Sequence, residues 1–235
     1  MSAPLVDVPI LFEDDRWLVV DKPAGWHVNR TDTARGASVE EHFADRGARV
    51  VHRLDRGTTG VLVLAKGRVE AAALSSAFAE RRVRKRYWAV VEGTAPEGVL
   101  DRPIGRDRRR PRARAVGEGG QEARTEVEPL GHGEGLALVE ARPFTGRTHQ
   151  IRVHLADAGA PIVGDTLYGG PAAVAWGEGV VRPARPLLHA LELVLPGPEG
   201  PRSFRAPLPA DLSGFAERLA PGPAARWAPV EPPEP

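Results

Sequence analysis

The sequence predicts an α+β fold, a mixed and mainly antiparallel sheet flanked by helices and loops. Three observations carry this expectation. Apolar, β-branched runs of strand length recur along the chain, as in 59–66 (TGVLVLAK), 87–92 (YWAVVE) and 187–195. Two further pairs of such runs are separated by short polar or glycine-rich turns, the pattern of antiparallel neighbours. No internal repeat and no shift in composition marks a second core, so 10–220 is expected to form one domain. Residues 1–9 then form an N-terminal extension. Residues 221–235, PGPAARWAPVEPPEP, form a Pro-rich tail expected to be disordered.

Each element has its own signal. Ile10-Leu11-Phe12 and Trp17-Leu18-Val19-Val20 flank the polar turn Glu13-Asp14-Asp15 and predict a hairpin. Asp21-Lys22-Pro23-Ala24-Gly25 ends its second strand with turn residues. Residues 39–48 predict a short helix closing at Gly47. The run 59–66 predicts a buried strand that begins four residues after Asp55. Residues 68–82 are rich in helix formers, with Val69, Ala73 and Ala77 at the spacing of one helix face. Residues 100–123 combine Pro, Gly and many arginines without an apolar period and predict a long loop with local turns. Residues 125–129 and 136–141 predict a strand pair joined by Gly131-His132-Gly133-Glu134-Gly135. Residues 148–158 predict a helix with Ile151, Leu155 and Ala158 on one face and Gly159 at its C-terminal cap. Asp211 is suited to cap a helix over 212–219.

Composition narrows the chemistry. The chain has 235 residues, 42% hydrophobic and 27% charged, an ordinary globular balance with enough length for a sizeable core. With no cysteine, disulfides, thiolate-ligated zinc, iron–sulfur clusters and thiol catalysis are excluded. The N-terminus shows no basic region followed by an apolar run, and no stretch is apolar enough to span a bilayer. A cytoplasmic protein without a membrane partner is expected. Net charge is only +1, but positive charge is clustered in Arg81-Arg82-Val83-Arg84-Lys85-Arg86 and in Arg106, Arg108, Arg109, Arg110, Arg112 and Arg114. Such clusters attract polyanions, and from charge alone two solvated loops are an equal alternative.

Three segments concentrate reactive side chains. Val51-His52-Arg53-Leu54-Asp55-Arg56-Gly57-Thr58-Thr59-Gly60 places a carboxylate in a loop that leads into the buried strand. Taken alone, a surface ion pair is the simpler account of it. Arg142-Pro143-Phe144-Thr145-Gly146-Arg147-Thr148-His149-Gln150-Ile151-Arg152-Val153-His154 opens a helix with two arginines and two histidines near its start. Backbone donors there, with Arg147 beside them, suit a phosphate, while a capped amphipathic helix explains the same residues. His149 and His154 lack the spacing of a zinc helix, so no metal is expected. In Lys85-Arg86-Tyr87-Trp88-Ala89-Val90-Val91-Glu92-Gly93, Tyr87 and Trp88 point to opposite faces of a strand. Trp88 is expected in the core, and Tyr87 is the candidate to stack on a base.

In order and spacing these segments resemble the pseudouridine synthase family, in the branch that modifies large-subunit ribosomal RNA and tRNA. That branch carries H-R-L-D followed by T-S-G, matched by His52 to Asp55 and Thr58-Thr59-Gly60. Its K-x-Y-x-A-x-V-x-G is matched by Lys85, Tyr87, Ala89, Val91 and Gly93, and its P-I-G-R by Pro103 to Arg106. T-G-R-x-H-Q-I-R-x-H is matched from Thr145 to His154, and G-x-P-I-x-G-D-x-x-Y-G from Gly159 to Gly169. Leu188-His189-Ala190 and Ala206-Pro207-Leu208-Pro209 resemble its closing segments. The match runs from about Ile10 to Leu219.

The resemblance implies an isomerase with a single catalytic domain built around a central RNA-binding cleft. It breaks the N1–C1′ bond of a uridine in tRNA and/or 23S rRNA, turns the base and rejoins it through C5. No cofactor is expected, in keeping with a chain that shows no dinucleotide fingerprint and no Walker loop. It implies Asp55 as catalytic carboxylate, Arg152 as its pairing guanidinium and Tyr87 as the residue stacked on the flipped base. Arg53, Arg106, Arg108, Arg109, Arg110, Arg112, Arg147 and His149 are expected to contact RNA, and His52 to order its loop. A monomer is expected.

The chain departs from the family pattern in three places. The stretch before Ile10 is too short for the small N-terminal RNA-binding domain of many members, and a stand-alone catalytic domain is expected. Asn29 stands where the segment K-P-x-G-x-x-V-H has its histidine, and Thr59 replaces a serine. The rival account is a non-catalytic RNA-binding or chaperone protein on the same scaffold. A glycosidic-bond hydrolase using Asp55 is a weaker one, and it predicts free base or sugar as product.

Overall fold

The computed structural model describes residues 7–30, 37–197, 199–220 and 222. The first six residues of the expected extension, and all of the expected tail except Gly222, lie outside the described residues. The chain packs as two compact units, Met1–Arg84 with Ala190–Pro207 and Lys85–His189 with Leu208–Pro235. Each mixes a few helices with mainly antiparallel strands, the α+β class expected.

The first unit opens with the expected hairpin, β1 (Ile10–Glu13) and β2 (Trp17–Lys22). Asp14 makes its turn, with Oδ1 accepting the backbone N–H groups of Arg16 and Trp17 at 2.9 and 2.7 Å. Helix α1 (Val39–His42) starts at Ser38, whose hydroxyl accepts from Glu41 N–H and donates to the Glu41 carboxylate. A 3₁₀ turn over Ala44–Arg46 follows and ends at Gly47, so the expected single helix is two short pieces. Strands β3 (Ala48–Val50) and β2 both pair antiparallel with β4 (Thr59–Lys66), which is buried up to Lys66.

Helix α2 (Gly67–Ala79) corrects one expectation. It buries Leu74 and Ala77 and half-buries Phe78, while Val69 is 80% exposed and Ala73 lies outside. Of the expected face only Ala77 is covered. Leu74 and Phe78 carry more apolar area than a valine and an alanine, so burying them fixes the rotation of the helix.

Strand β5 (Arg84–Glu92) leads into the second unit, which starts at Lys85. Strands β6 (Gly98–Leu100), β7 (Ile104–Arg106) and β8 (Arg114–Val116) lie in the segment expected to be one long loop. There β7 and β8 form a hairpin in register Ile104↔Val116 to Arg106↔Arg114. Ile104 is buried with Ala123 and Val153, and Val116 packs beside them. Three-residue strands are too short to show a period, which hid the hairpin.

Strands β9 (Thr125–Gly133) and β10 (Leu136–Pro143) are the expected pair, but only Glu134 and Gly135 turn between them, at φ +54° and +74°. Gly131 and Gly133 belong to β9. A Cβ on Gly131 would stand 1.9 Å from the Leu219 carbonyl oxygen. The sheet order in this unit is β5-β10-β9-β6, antiparallel throughout.

Helix α3 (Gln150–Asp157) follows β10 and ends as expected, with Gly159 at φ +80°. Strands β11 (Val174–Trp176) and β12 (Gly179–Val181) make a small hairpin. Strand β13 (Leu188–Leu195) carries the chain back to the first unit, where it pairs with β14 (Arg202–Arg205). A Cβ on Gly60 in β4 would stand 2.2 Å from the Ala190 carbonyl oxygen, so only glycine lets these strands approach. Helix α4 (Ala210–Leu219) is capped by Pro209, whose carbonyl accepts from Leu212 and Ser213. Asp211 is therefore not the cap. Its carboxylate grips the buried guanidinium of Arg185 at 2.8 and 2.7 Å, which needs a counter-charge.

Candidate active site

In the first unit the Asp55 loop is fastened through its backbone. Strand-like alternation leaves Arg53 exposed, buries Leu54 and half-buries Asp55. The turn then closes with Thr58 N–H donating to the Asp55 carbonyl at 3.0 Å, and β4 starts one residue later. The Arg56 carbonyl accepts from Gly25 N–H at 2.8 Å and from Lys22 Nζ at 3.3 Å. Arg56 Nε returns a bond to the Gly25 carbonyl at 3.0 Å. Lys22 is fully buried and also donates to the Pro23 carbonyl. His52 Nε2 accepts from Val63 N–H at 3.1 Å while its ring stacks on Phe78 at 4.5 Å. These contacts give His52 the loop-ordering place expected of it.

The electrostatics around this loop are positive. Burial lowers the His27 imidazole below its ordinary value, and the charges of Arg56, Lys22 and Arg53 push it the same way. Burial raises the Asp21 carboxyl, against the pull of Lys22. Arg53 is exposed and has no carboxylate partner among the described residues.

In the second unit the candidate residues are held by side chains. Gln150, the first residue of α3, uses all four of its amide valences. Its Oε1 accepts from the Thr145 hydroxyl at 2.6 Å and Arg147 N–H at 3.0 Å. Its Nε2 donates to the Arg124 carbonyl and the Thr125 hydroxyl, both at 2.9 Å. His154 Nε2 lies 3.0 Å from the Arg102 carbonyl, which can only accept, so that nitrogen carries the proton. Its Nδ1 then accepts from Thr125 Oγ1 at 3.0 Å. Burial lowers its pKa, and the ring is a neutral structural group.

Arg152 is buried on α3 and grips Asp165 through two parallel bonds, Nε to Oδ2 at 2.6 Å and Nη2 to Oδ1 at 2.8 Å. Its guanidinium lies over the Tyr168 ring, 5.0 Å from the centroid. Neither partner was assigned a role from sequence, although both belong to the segment Gly164-Asp165-Thr166-Leu167-Tyr168-Gly169. An aspartate and a tyrosine at fixed spacing in a glycine-bounded turn were the available signal.

Tyr87 lies on β5 with 9% of its surface exposed. Trp88, on the opposite face, is in the core as expected, its Nε1 donating to Glu140 at 3.3 Å. Glu140 also binds Arg86 Nη2 and Arg142 Nε, both at 2.6 Å. Arg86 is thus a core ion pair and not part of a solvated patch. Lys85 donates to the Thr145 carbonyl at 3.0 Å, and burial pulls its ammonium down to about 8.

The hairpin tip presents Arg106, Arg108, Arg109 and Arg112 to solvent with no carboxylate partner among the described residues. Arg110 differs. Its Nε binds Asp107 at 2.8 Å and its Nη1 the Leu167 carbonyl at 2.8 Å. Asp107 folds the tip by accepting the N–H groups of Arg109 and Arg110, and those bonds and Arg110 hold its carboxyl below the ordinary range. Arg147 is half-buried with Nε on the Glu122 carbonyl, and His149 stands at the start of α3 at φ +60°. The amides of Arg147 and Gln150 are engaged within the segment, which leaves fewer backbone donors there than a phosphate cradle would use. Among the described residues, no three His, Asp or Glu side chains gather as a metal site.

Comparison with known proteins gives the family of the chain. The family model for RNA pseudouridylate synthase matches residues 16–157. The uncharacterized RNA pseudouridine synthase YhcT of Bacillus subtilis is 37% identical over 223 residues, covering 89% of this chain and 71% of that protein. A counterpart in Zymomonas mobilis, also called an uncharacterized RNA pseudouridine synthase, is 39% identical and covers 88% of this chain and 96% of its own. Ribosomal large subunit pseudouridine synthase D of Nitrosomonas europaea is 35% identical over 93% of this chain and 67% of its own. Among solved structures, the human protein RNA Pseudouridylate Synthase Domain Containing 1 superposes with a TM-score of 0.71 at 28% identity, covering 98% of this chain and all of that one. The chain belongs to the RNA pseudouridylate synthase family. Its reaction is the isomerisation of uridine to pseudouridine within RNA.

Proposed function

We propose that Asp55 is the catalytic carboxylate of this isomerisation and that the substrate uridine lies in 23S rRNA or tRNA. The observation that carries the assignment is the Asp55 loop. It holds a half-buried carboxylate on a backbone stapled to Lys22, Gly25 and β4, between two exposed arginines. A rigid carboxylate in a positive field suits attack on a sugar or base, or removal of a ribose proton.

In this reading Tyr87 stacks on the flipped base and offsets part of the cost of unstacking it, a few kcal/mol. Arg152, its guanidinium oriented by Asp165, supplies the positive charge of the reaction. Arg53, Arg147, His149 and the hairpin arginines contact the RNA backbone. The protein works without a cofactor, as a monomer, in the cytoplasm.

The names of the large-subunit relatives direct the first test to 23S rRNA. Purified protein incubated with 23S rRNA and tRNA transcripts should form pseudouridine at one or a few positions of one of them. Site-by-site mapping reads the product. Modification of neither RNA would overturn the substrate assignment.

A further inference from the structure

We propose that Tyr168 is a positioning residue that couples RNA docking on the β7–β8 hairpin to the guanidinium of Arg152. The inference goes beyond the proposed function and rests on its assignment of Arg152 to the reaction.

Four contacts meet on this one side chain. Its hydroxyl accepts the backbone N–H of Arg114, the first residue of β8, at 2.8 Å. The same hydroxyl lies 2.7 Å from Nδ1 of His149, the residue that caps the start of α3. The ring lies against the Arg152 guanidinium at 5.0 Å. The ring also packs against the cluster of Ile104, Ala123 and Val153, which joins the base of the hairpin to α3. One residue earlier, the Leu167 carbonyl holds Arg110 of the hairpin tip at 2.8 Å.

The hairpin is thereby wired to the helix that carries Arg152. Its outer end presents four arginines without carboxylate partners among the described residues, a surface made for phosphates. Its inner end is a hydrogen bond from the β8 backbone to Tyr168. His149 sits in a left-handed conformation unfavourable for a residue with a Cβ, so the start of α3 depends on contacts such as the tyrosine hydroxyl. A phosphate that shifts β8 therefore acts on the start of α3 and on the ring against Arg152. A double-mutant cycle measures the coupling.

The cycle combines Tyr168→Phe with a triple replacement, Arg108→Gln, Arg109→Gln and Arg112→Gln, read as kcat and KM for tritium release from RNA labelled at uridine C5. In the wild-type background the triple replacement should raise KM and also lower kcat at saturating RNA, by roughly three- to tenfold. Tyr168→Phe keeps the ring and loses the hydroxyl. In that background the triple replacement should raise KM and leave kcat where Tyr168→Phe alone set it. Tyr168→Leu, which also removes the ring, should lower kcat further. A kcat loss of equal size in both backgrounds, or a triple replacement that moves KM alone, would overturn the coupling. Arg152→Lys, measured alongside, separates the two levels. An unchanged kcat there would remove Arg152 from the reaction, whatever the cycle shows about the hairpin.

Discussion

The Asp55 loop and the Arg152 segment are held in place by opposite means. Around Asp55 the fastenings run to backbone atoms: the carbonyls of Asp55 and Arg56, the N–H groups of Gly25, Thr58 and Val63. The carboxylate itself stays half-exposed at the end of a stiff main chain. Around Arg152 the fastenings are side chains: Asp165 and Tyr168 on the guanidinium, Gln150 and His154 in the same helix. A main-chain clamp leaves a side chain accessible for chemistry. A side-chain clamp holds a charge still inside a buried site. The two regions should respond to different substitutions.

Asp165→Asn breaks the side-chain clamp and has the largest expected effect. It removes the Asp165 charge from the buried Arg152 guanidinium, which costs about 3 kcal/mol or more of stability. Urea unfolding should show a lower midpoint, with kcat falling more than KM rises. A midpoint equal to wild type would mean that Asp165 is not the counter-charge.

Gly60→Ala breaks the main-chain clamp at the start of β4. At φ +112° and with the Ala190 carbonyl in the way, the added Cβ forces backbone to move, at a cost of about 2–3 kcal/mol. Hydrogen exchange should rise in the Asp55 loop and β4 and stay unchanged in α3. Faster exchange spread equally over both regions would erase the distinction between the clamps.

Lys85 makes the second region sensitive to pH. Its folded pKa of about 8 lies below the ordinary 10.5, so the unfolded chain binds the extra proton between those values. Stability contributed this way is complete above about 10.5 and is lost as pH falls toward 8. Lys85→Met should therefore stabilise the protein at pH 7 by on the order of 2 kcal/mol, a gain that shrinks as pH rises through this window. Melting temperatures of the two proteins from pH 7 to 10 give the comparison, and a gap that does not narrow would contradict it.

Arg108, Arg109 and Arg112 bond to neither clamp. Neutralising Arg108, Arg109 and Arg112 should leave stability within about 0.5 kcal/mol. The slope of log affinity for RNA against log salt should flatten by roughly two. Binding titrations at several salt concentrations measure it, and an unchanged slope would make the tip a bystander.

Much of this was legible in the sequence. The hairpin at Asp14, the buried strand after Asp55 and the cap at Gly159 followed from turn residues and β-branched runs, because local chemistry decides them. The rotation of α2 did not, because small alanines mark a face weakly and Leu74 and Phe78 decide it through burial. The β7–β8 hairpin was hidden by strands too short for a period. The motifs singled out Asp55, Tyr87 and Arg152, but no spacing rule connects Arg152 with Asp165 thirteen residues on. That pairing depends on the turn over Thr166–Tyr168 folding back against α3.

The central claim concerns Asp55, and Asp55→Asn tests it most directly. The change keeps the shape of the side chain and the backbone clamps and removes only the charge. Tritium release from RNA labelled at uridine C5, measured with RNA affinity on the same preparation, should show no product and near-normal binding. Substantial turnover by a variant that binds normally would contradict the account.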